Sequence, residues 1–240
     1  SRQCEKTSTL GNKILTTVAL RNGYTFIYVS PSQMQTKTFS NDRIRIPIET
    51  SPHLKSLKSN MVSENILEKR FANNSQIILR YAFLNAERTR GITGHGLAMD
   101  EFQDIMADNI PVIEMTTSHA DEEMKVNMYS GTPKSLDNNI EHYRSNKSTQ
   151  HEWCIPCDCR GGEGGRFWNI LNEKNMGLKF AICERCGKQL NVAHPEASWH
   201  AQVDFDPIHV PWTSYRICQL MVPWRSWREI MVDYHTYSRA

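Results

Sequence analysis

Leu97-Ala98-Met99, enclosed by Gly94 and Gly96 on one side, runs straight into two carboxylates, Asp100-Glu101. An apolar run this short suits a buried strand better than a helix. Acids at the end of such a strand stand at the carboxyl edge of a sheet, where open α/β folds bind ligands. There Asp100 is placed to hold Mg²⁺, and Glu101 to orient or deprotonate a water that attacks a phosphate. A buried strand followed by an acidic turn accounts for the same residues without chemistry. The chemical reading therefore depends on a phosphate loop and a further strand edge elsewhere in the chain.

The phosphate loop is sought at the start, in Ser1-Arg2-Gln3-Cys4-Glu5-Lys6-Thr7-Ser8. Lys followed by Thr or Ser ahead of a helical stretch (residues 9–19) is how such loops end. The Lys6 ammonium would neutralise phosphate charge, the Thr7 hydroxyl would bind Mg²⁺, and the helix N-terminus would add N–H donors. Glu5 stands where glycine is usual, which adds a Cβ and a negative charge. A plain helix start capped by Thr7 or Ser8 is the alternative. The strand that should feed the loop is not in the sequence, which implies a segment ahead of Ser1.

Three further strands are expected at residues 24–29, 76–82 and 126–129, rich in β-branched and aromatic residues. Helices are expected at residues 63–71 and 109–118, the second with Pro111 in its first turn. Alternating strands and helices argue for a mainly parallel sheet with covered faces. The last strand runs into Ser130-Gly131-Thr132-Pro133, which is either an ordinary turn or a second edge that touches the phosphate or its water beside Asp100 and Glu101. Arg88-Thr89-Arg90-Gly91 precedes the acidic strand. An arginine there can stabilise transition-state charge on a neighbouring subunit's nucleotide, or it is a solvated loop residue.

The 240 residues suffice for one α/β domain and a small appendage. A formal net charge of +2 is too small to argue for nucleic-acid binding by itself. No apolar run is long enough to span a membrane, and no signal peptide is visible. Four of the seven cysteines form two Cys-x-x-Cys pairs, Cys154/Cys157 and Cys183/Cys186, with 25 residues between them. That spacing reads as four thiolates around one tetrahedral Zn²⁺ in a reducing compartment. Cys159 is a substitute for one first-knuckle ligand, and Gly187 marks the turn after the second knuckle. A reduced set of free cysteines is the plainer alternative. His151, His194 and His200 are near enough to compete as ligands but are expected to be structural, and Cys4 and Cys218 unliganded. Residues 160–166 hold four glycines and read as a loop. In the tail, Trp212, Trp224 and Trp227 alternate with Arg216, Arg225 and Arg228. Such residues can grip a nucleic-acid strand or pack a small subdomain with their stems.

Taken together, the phosphate loop, the Gly96-to-Glu101 strand, Tyr129-Ser130-Gly131-Thr132-Pro133, the two knuckles and the Tyr215-to-Trp224 stretch resemble the ATPase part of a tailed-bacteriophage large terminase subunit. The resemblance implies a P-loop NTPase of the RecA-like additional-strand type, its mainly parallel central sheet flanked by helices, with a small zinc-ribbon-like insertion. It implies an ATPase core over residues 1–148, the insertion over 149–200, and over 201–240 a Trp/Arg-rich subdomain or linker toward a nuclease domain, for which no acidic triad is evident. It implies ATP, Mg²⁺ and Zn²⁺ as cofactors, with Arg2, Gln3, Glu5, Lys6, Thr7, Ser8, Asp100, Ser130, Gly131 and Thr132 around nucleotide and magnesium. Glu101 would be the base, Arg2 would act in cis and Arg90 in trans. The family works as a homo-oligomeric ring on a portal protein, with a small terminase subunit. It pumps double-stranded DNA into a procapsid in the host cell cytoplasm and has no membrane partner. Two other readings fit the residues: a helicase-like ATPase of a mobile element, and a zinc-ribbon nucleic-acid-binding module on a degenerate ATPase core marked by Glu5.

Overall fold

A computed structural model of the chain describes residues 5–58, 65–82, 86–135, 137–159, 165–222 and 224–237. The chain divides into two compact units, residues 5–141 and residues 142–240. Ser1, Arg2, Gln3 and Cys4 lie outside the described residues, as do 160–164 of the glycine-rich stretch and Pro223. Among the described residues no helix is long and apolar enough to cross a membrane.

The first unit is built on a five-stranded sheet of order β2-β3-β1-β4-β5. Its strands are β1 (Thr25–Ser30), β2 (Glu68–Arg70), β3 (Gln76–Tyr81), β4 (Gly96–Met99) and β5 (Val126–Tyr129). β1 pairs in parallel with β3 and β4, and β4 with β5. Every residue of β1 and of β4 is buried, as expected for central strands of a sheet covered on both faces. Helix α1 (Lys6–Leu20) buries Leu10, Ile14, Leu15 and Val18, a spacing of about one turn that gives one apolar stripe. That stripe joins Tyr24, Phe26, Tyr28, Ile77, Leu79 and Ala98 of the sheet in the unit's core. A side chain of this size contributes about 1.5–3 kcal/mol on burial, so this packing fixes how α1 lies on the sheet.

Two segments differ from expectation. Residues 65–71 do not form a helix. Glu68–Arg70 is strand β2, antiparallel on the edge of β3. The turn Asn73-Asn74-Ser75 decides this: Asn74 takes φ 64°, Ser75 N–H is accepted by Asn73 Oδ1, and Phe71 N–H is accepted by Ser75 O. Asn and Ser supply such turn bonds from their own side chains. Beyond β1 the chain is helical: α2 (Gln33–Phe39), a π-helical turn (Ser40–Arg45), α3 (Ile46–Thr50) and α4 (Pro52–Ser56). Ser32 caps α2 by accepting the Gln35 N–H. α5 (Ile110–Glu114), continued by a 3₁₀ turn (Met115–Thr117), fills the expected helix, with Pro111 in its first turn.

α6 (Asn139–Lys147) leads into the second unit. There β6 (His151–Cys157) is flanked by β7 (Phe167–Ile170) and β8 (Ser198–His200), both antiparallel, and β9 (Tyr215–Arg216) lies parallel to its first residues. A 3₁₀ turn (Gln219–Met221) and α7 (Trp227–Tyr237) complete it. Ile155, Leu171, Ala181, Cys183, Leu190, Leu220 and Ile230 form one apolar cluster, so residues before and after 200 share a core. Buried Glu152 accepts from Arg144 and from Arg216, the latter at 2.8 Å, and so ties α6 and β9 to β6.

Candidate functional site

The carboxyl edge of the first unit's sheet gathers most of the residues predicted for nucleotide. Asp100 N–H continues the ladder to Val29 O (3.0 Å), and Ser130 N–H bonds Met99 O (2.9 Å). Phe102 N–H then returns to Ser130 O (2.9 Å). The two loops that leave β4 and β5 are thus pinned side by side, with Asp100-Glu101 on one and Ser130-Gly131-Thr132 on the other. Lys6, first residue of α1, donates to Gly131 O at 2.9 Å and to Thr132 Oγ1. Thr7 and Ser8 follow in the first turn of the helix, where the Ser8 hydroxyl donates to the Glu5 carboxylate.

Asp100 is 5% exposed. Its Oδ1 accepts the Glu101 N–H at 3.0 Å and its Oδ2 accepts the Tyr28 hydroxyl at 3.2 Å. Burial pushes its pKa up, with the Glu101 charge adding to the rise. The Glu101 N–H and the hydroxyls of Tyr28 and Ser130 pull the other way without prevailing. Burial, with Asp100 beside it, also raises Tyr28, whose ring stacks on Phe39 at 3.8 Å. Two of the four non-glycine residues with positive φ among those described border this edge: Glu5 (φ 52°) and Glu101 (φ 48°). Glu5 therefore stands in the backbone conformation that glycine adopts freely.

Sequence reasoning missed Gln103, in the 3₁₀ turn Phe102–Asp104. Its Nε2 donates to Glu101 Oε2 at 2.6 Å and its Oε1 accepts the Thr132 N–H at 2.9 Å. One hydrogen-bonded path thereby runs from Lys6 through Thr132 and Gln103 to Glu101. No motif marks Gln103; its place two residues after the acid pair is the only sequence signal. Arg90 is not joined to this path among the described residues. It pairs with Glu87 at 3.1 Å, with 65% of its side chain exposed. Arg88 instead lies over the Tyr81 ring at 4.4 Å. Arg2 and Gln3 lie outside the described residues.

The second unit brings four thiols together, but not the four that the Cys-x-x-Cys spacing selects. Cys157, Cys159, Cys183 and Cys186 have their sulfurs within 4.8 Å of one another; Cys154 is not among them. The reason is strand parity. Cys154 and Cys157 both lie in β6, and residues three apart on a strand point to opposite faces. Cys159, two after Cys157, returns to the same side. Cys154 is buried on the other face, and its Sγ donates to Glu152 O. Burial, then the Glu152 charge, pushes its thiol up to about 11. Cys183 behaves oppositely: burial opposes ionisation, but the N–H groups of Cys186 and Arg185 aimed at its sulfur bring it down to about 7. Gly187 takes the left-handed conformation (φ 71°) that closes this knuckle. Cys157–Cys186 and Cys159–Cys183 are each 3.7 Å apart. A tetrahedron with the roughly 2.3 Å arms of zinc–sulfur bonds has edges of about 3.8 Å.

The three histidines have partners elsewhere: His151 with Thr149 Oγ1, His194 with Glu196 N–H and His200 with Ser198 Oγ. The tail's polar groups are largely engaged in packing. Trp227 Nε1 donates to Gly177 O, and Arg225 pairs with Asp233 at 2.8 Å.

A family model described as phage terminase large subunit gpA, ATPase domain, matches residues 1–202. No curated protein matches the chain. Among solved structures, a variant of the Thermus phage P74-26 large terminase ATPase domain is similar over 99% of this chain and 80% of its own, with a TM-score of 0.57 and 16% identity. At that identity the likeness shows the fold. Another structure of that domain (18% identity, TM-score 0.49) is covered over 61% of its length, and the HK97 bacteriophage large terminase (13%, TM-score 0.49) over 30%. Each of these two matches 60% of this chain.

Proposed function

The chain belongs to the family of the phage terminase large subunit gpA ATPase domain, and from that premise we propose that it hydrolyses ATP to drive double-stranded viral DNA into a procapsid. The observation that carries this reading is the path Lys6–Thr132–Gln103–Glu101 at the carboxyl edge of a parallel sheet. It links a phosphate-binding cation, a loop that meets the phosphate and a base.

In this reading Lys6 and the free N–H groups at the start of α1 hold the β- and γ-phosphates. Gln3, Thr7 and Ser8 complete the loop, with Glu5 in glycine's conformation. Asp100 and Thr7 fit Mg²⁺, which prefers hard oxygen donors. Asp100 is a buried carboxylate bonded to a hydroxyl and an amide. When bound, the metal neutralises charge on the phosphate oxygens. Glu101 orients and deprotonates the attacking water. Lys6 exchanges Gly131 O and Thr132 Oγ1 for phosphate, which frees the 130–132 loop to report occupancy. Arg2 supplies charge in cis and Arg90 in trans, from the next copy in a ring.

Cys157, Cys159, Cys183 and Cys186 fit Zn²⁺ by donor type and spacing. The zinc would lock the two knuckles of an insertion spanning residues 149–200. Residues 1–148 would be the motor core, and residues 201–240 would lead toward a nuclease domain. Portal protein, small terminase subunit and DNA are the partners proposed, in the host cytoplasm during assembly.

Glu101→Gln tests the reading. It should bind ATP normally and lose turnover by about 10²–10⁴-fold, the usual contribution of a positioned base. Near-normal turnover removes Glu101 from that role.

A further inference from the structure

Gln103 uses both ends of its amide. Nε2 donates to Glu101 Oε2 (2.6 Å) and also reaches Asp104 Oδ2 (3.1 Å), while Oε1 accepts from Thr132 N–H (2.9 Å). A side-chain amide, with a donor and an acceptor at the two corners of one plane, meets both demands. A carboxylate at 103 could accept from Thr132 but would face Glu101 with like charge, and an ammonium could bind Glu101 but accept nothing. The same demand fixes the amide's orientation, since the flipped group would set oxygen against carboxylate.

Two further observations converge on this contact. A methyl group on Gly131 would overlap Gln103 Oε1, so the glycine of Ser-Gly-Thr makes room for this side chain. Glu101 holds φ 48° and ψ 44°, a left-handed backbone that is unfavourable for a non-glycine residue. Strain of this kind persists where surrounding bonds hold it in place. Here those bonds are Glu101 N–H to Asp100 Oδ1 and Gln103 to the Glu101 carboxylate.

We infer that Gln103 is a positioning residue, which fixes the Glu101 carboxylate to the 130–132 loop so that the loop sets where the base stands. The inference rests on the reading of Glu101 as base. Lys6 bonds the same loop from the other side, through Gly131 O and Thr132 Oγ1. A shift of the loop when Lys6 turns to phosphate is therefore passed to Glu101 by one side chain.

Steady-state ATP turnover of the full chain tests this with Q103A and Q103E. Q103E keeps size, shape and the acceptor while losing the donor, and it carries the test if Q103A does not fold. Both should lower kcat by about 10–100-fold, the scale on which a misplaced group costs rate, with KM for ATP and Tm unchanged. G131A should give the same split. Because Gln103 acts through Glu101, Q103A combined with E101Q should be no slower than E101Q alone. Normal kcat in both Gln103 variants beside an inactive E101Q overturns the inference and leaves the base reading standing. Losses that multiply in the double variant, or a raised KM with a lowered Tm, also overturn it. An active E101Q, or a wild-type chain without turnover, overturns the base reading and the inference together.

Discussion

The sheet edge and the cysteine cluster are both assembled from distant residues, but they differ in what holds them. At the edge, the loops after β4 and β5 are fixed by backbone bonds (Ser130 N–H to Met99 O, Phe102 N–H to Ser130 O), and the side chains follow. In the cluster four thiols meet from a strand end and a knuckle, and side-chain direction alone decides which cysteines take part. They also differ in completeness. The four sulfurs form a full ligand set within one chain. At the edge, Lys6 is the one cation bonded into the path among the described residues, and it faces a loop carbonyl and a hydroxyl rather than the carboxylates. Among the described residues, Lys6 is thus the cation that this path offers a phosphate. We propose from this contrast that the cysteine cluster suffices for a metal within one chain, and that the nucleotide site is completed by an arginine that is not in the path.

Mixing variants is the strongest way to break that contrast. Arg90 is exposed and, among the described residues, pairs with Glu87, an exposed pair of a kind worth about 0–1 kcal/mol that a neighbour's nucleotide could outcompete. An arginine supplied in trans can be worth about 10³–10⁵ in rate. Arg90→Ala should lose activity on that scale and regain part of it when mixed with Glu101→Gln, because some interfaces then pair an intact base with an intact arginine. Arg2→Ala mixed with Glu101→Gln should stay inactive at every ratio if Arg2 acts in cis. Recovery in the second mixture and none in the first reverses the assignment and makes Arg2 the arginine supplied in trans, whereas recovery in neither mixture makes the edge self-sufficient too.

Zinc analysis comes next in size. Wild type and Cys154→Ala should each hold close to one zinc per chain, and Cys159→Ala should lose most of it. Structural zinc in small modules contributes on the order of 10 kcal/mol of apparent binding energy, so Cys159→Ala should melt well below Cys154→Ala. Equal zinc in Cys159→Ala, with loss in Cys154→Ala, restores the Cys-x-x-Cys set that β6 parity rejects. A metal-free wild type that melts unchanged favours free thiols.

What could be read from the sequence follows the same division. Strands β1, β3 and β4 announce themselves as short apolar runs, because a strand covered on both faces needs nothing else; β5, half-buried at the end of the sheet, shows Val126, Met128 and Tyr129 around Asn127. Their order brings Asp100, Glu101 and the 130–132 loop to one edge without knowledge of any side-chain angle. β2 was hidden because Ile66, Leu67 and Phe71 mimic helical spacing, whereas Asn73-Asn74-Ser75 had the stronger claim as a turn. α2 carries a sequence signal in its Ser32–Gln35 capping pair. Cys159 and Gln103 depend on which way a side chain faces. The first was recoverable from the parity of an extended Cys-x-Cys; the second depends on a loop 29 residues further on, to which no local pattern points.

The smallest effect expected is a gain, and it concerns Asp100. Burial holds its carboxyl above the ordinary range against the Glu101 N–H and the Tyr28 hydroxyl that it accepts from, so the fold disfavours the charged form. A folded state that binds the proton more tightly than the unfolded chain loses stability as pH rises from the unfolded pKa, about 4, through the raised folded value. The cost is complete above the folded pKa and absent below the unfolded one. Asp100→Asn carries no such cost. In metal-free buffer at pH 7 it should melt above wild type. The gap should close as the pH falls below about 4. Turnover should vanish with the Mg²⁺ ligand. Added Mg²⁺ and ATP should then raise the wild-type Tm past the variant's, since a ligand stabilises only the fold that binds it. A variant that melts no higher than wild type at pH 7 means that Asp100 is already balanced by its own chain, and the edge would be as self-sufficient as the cysteine cluster.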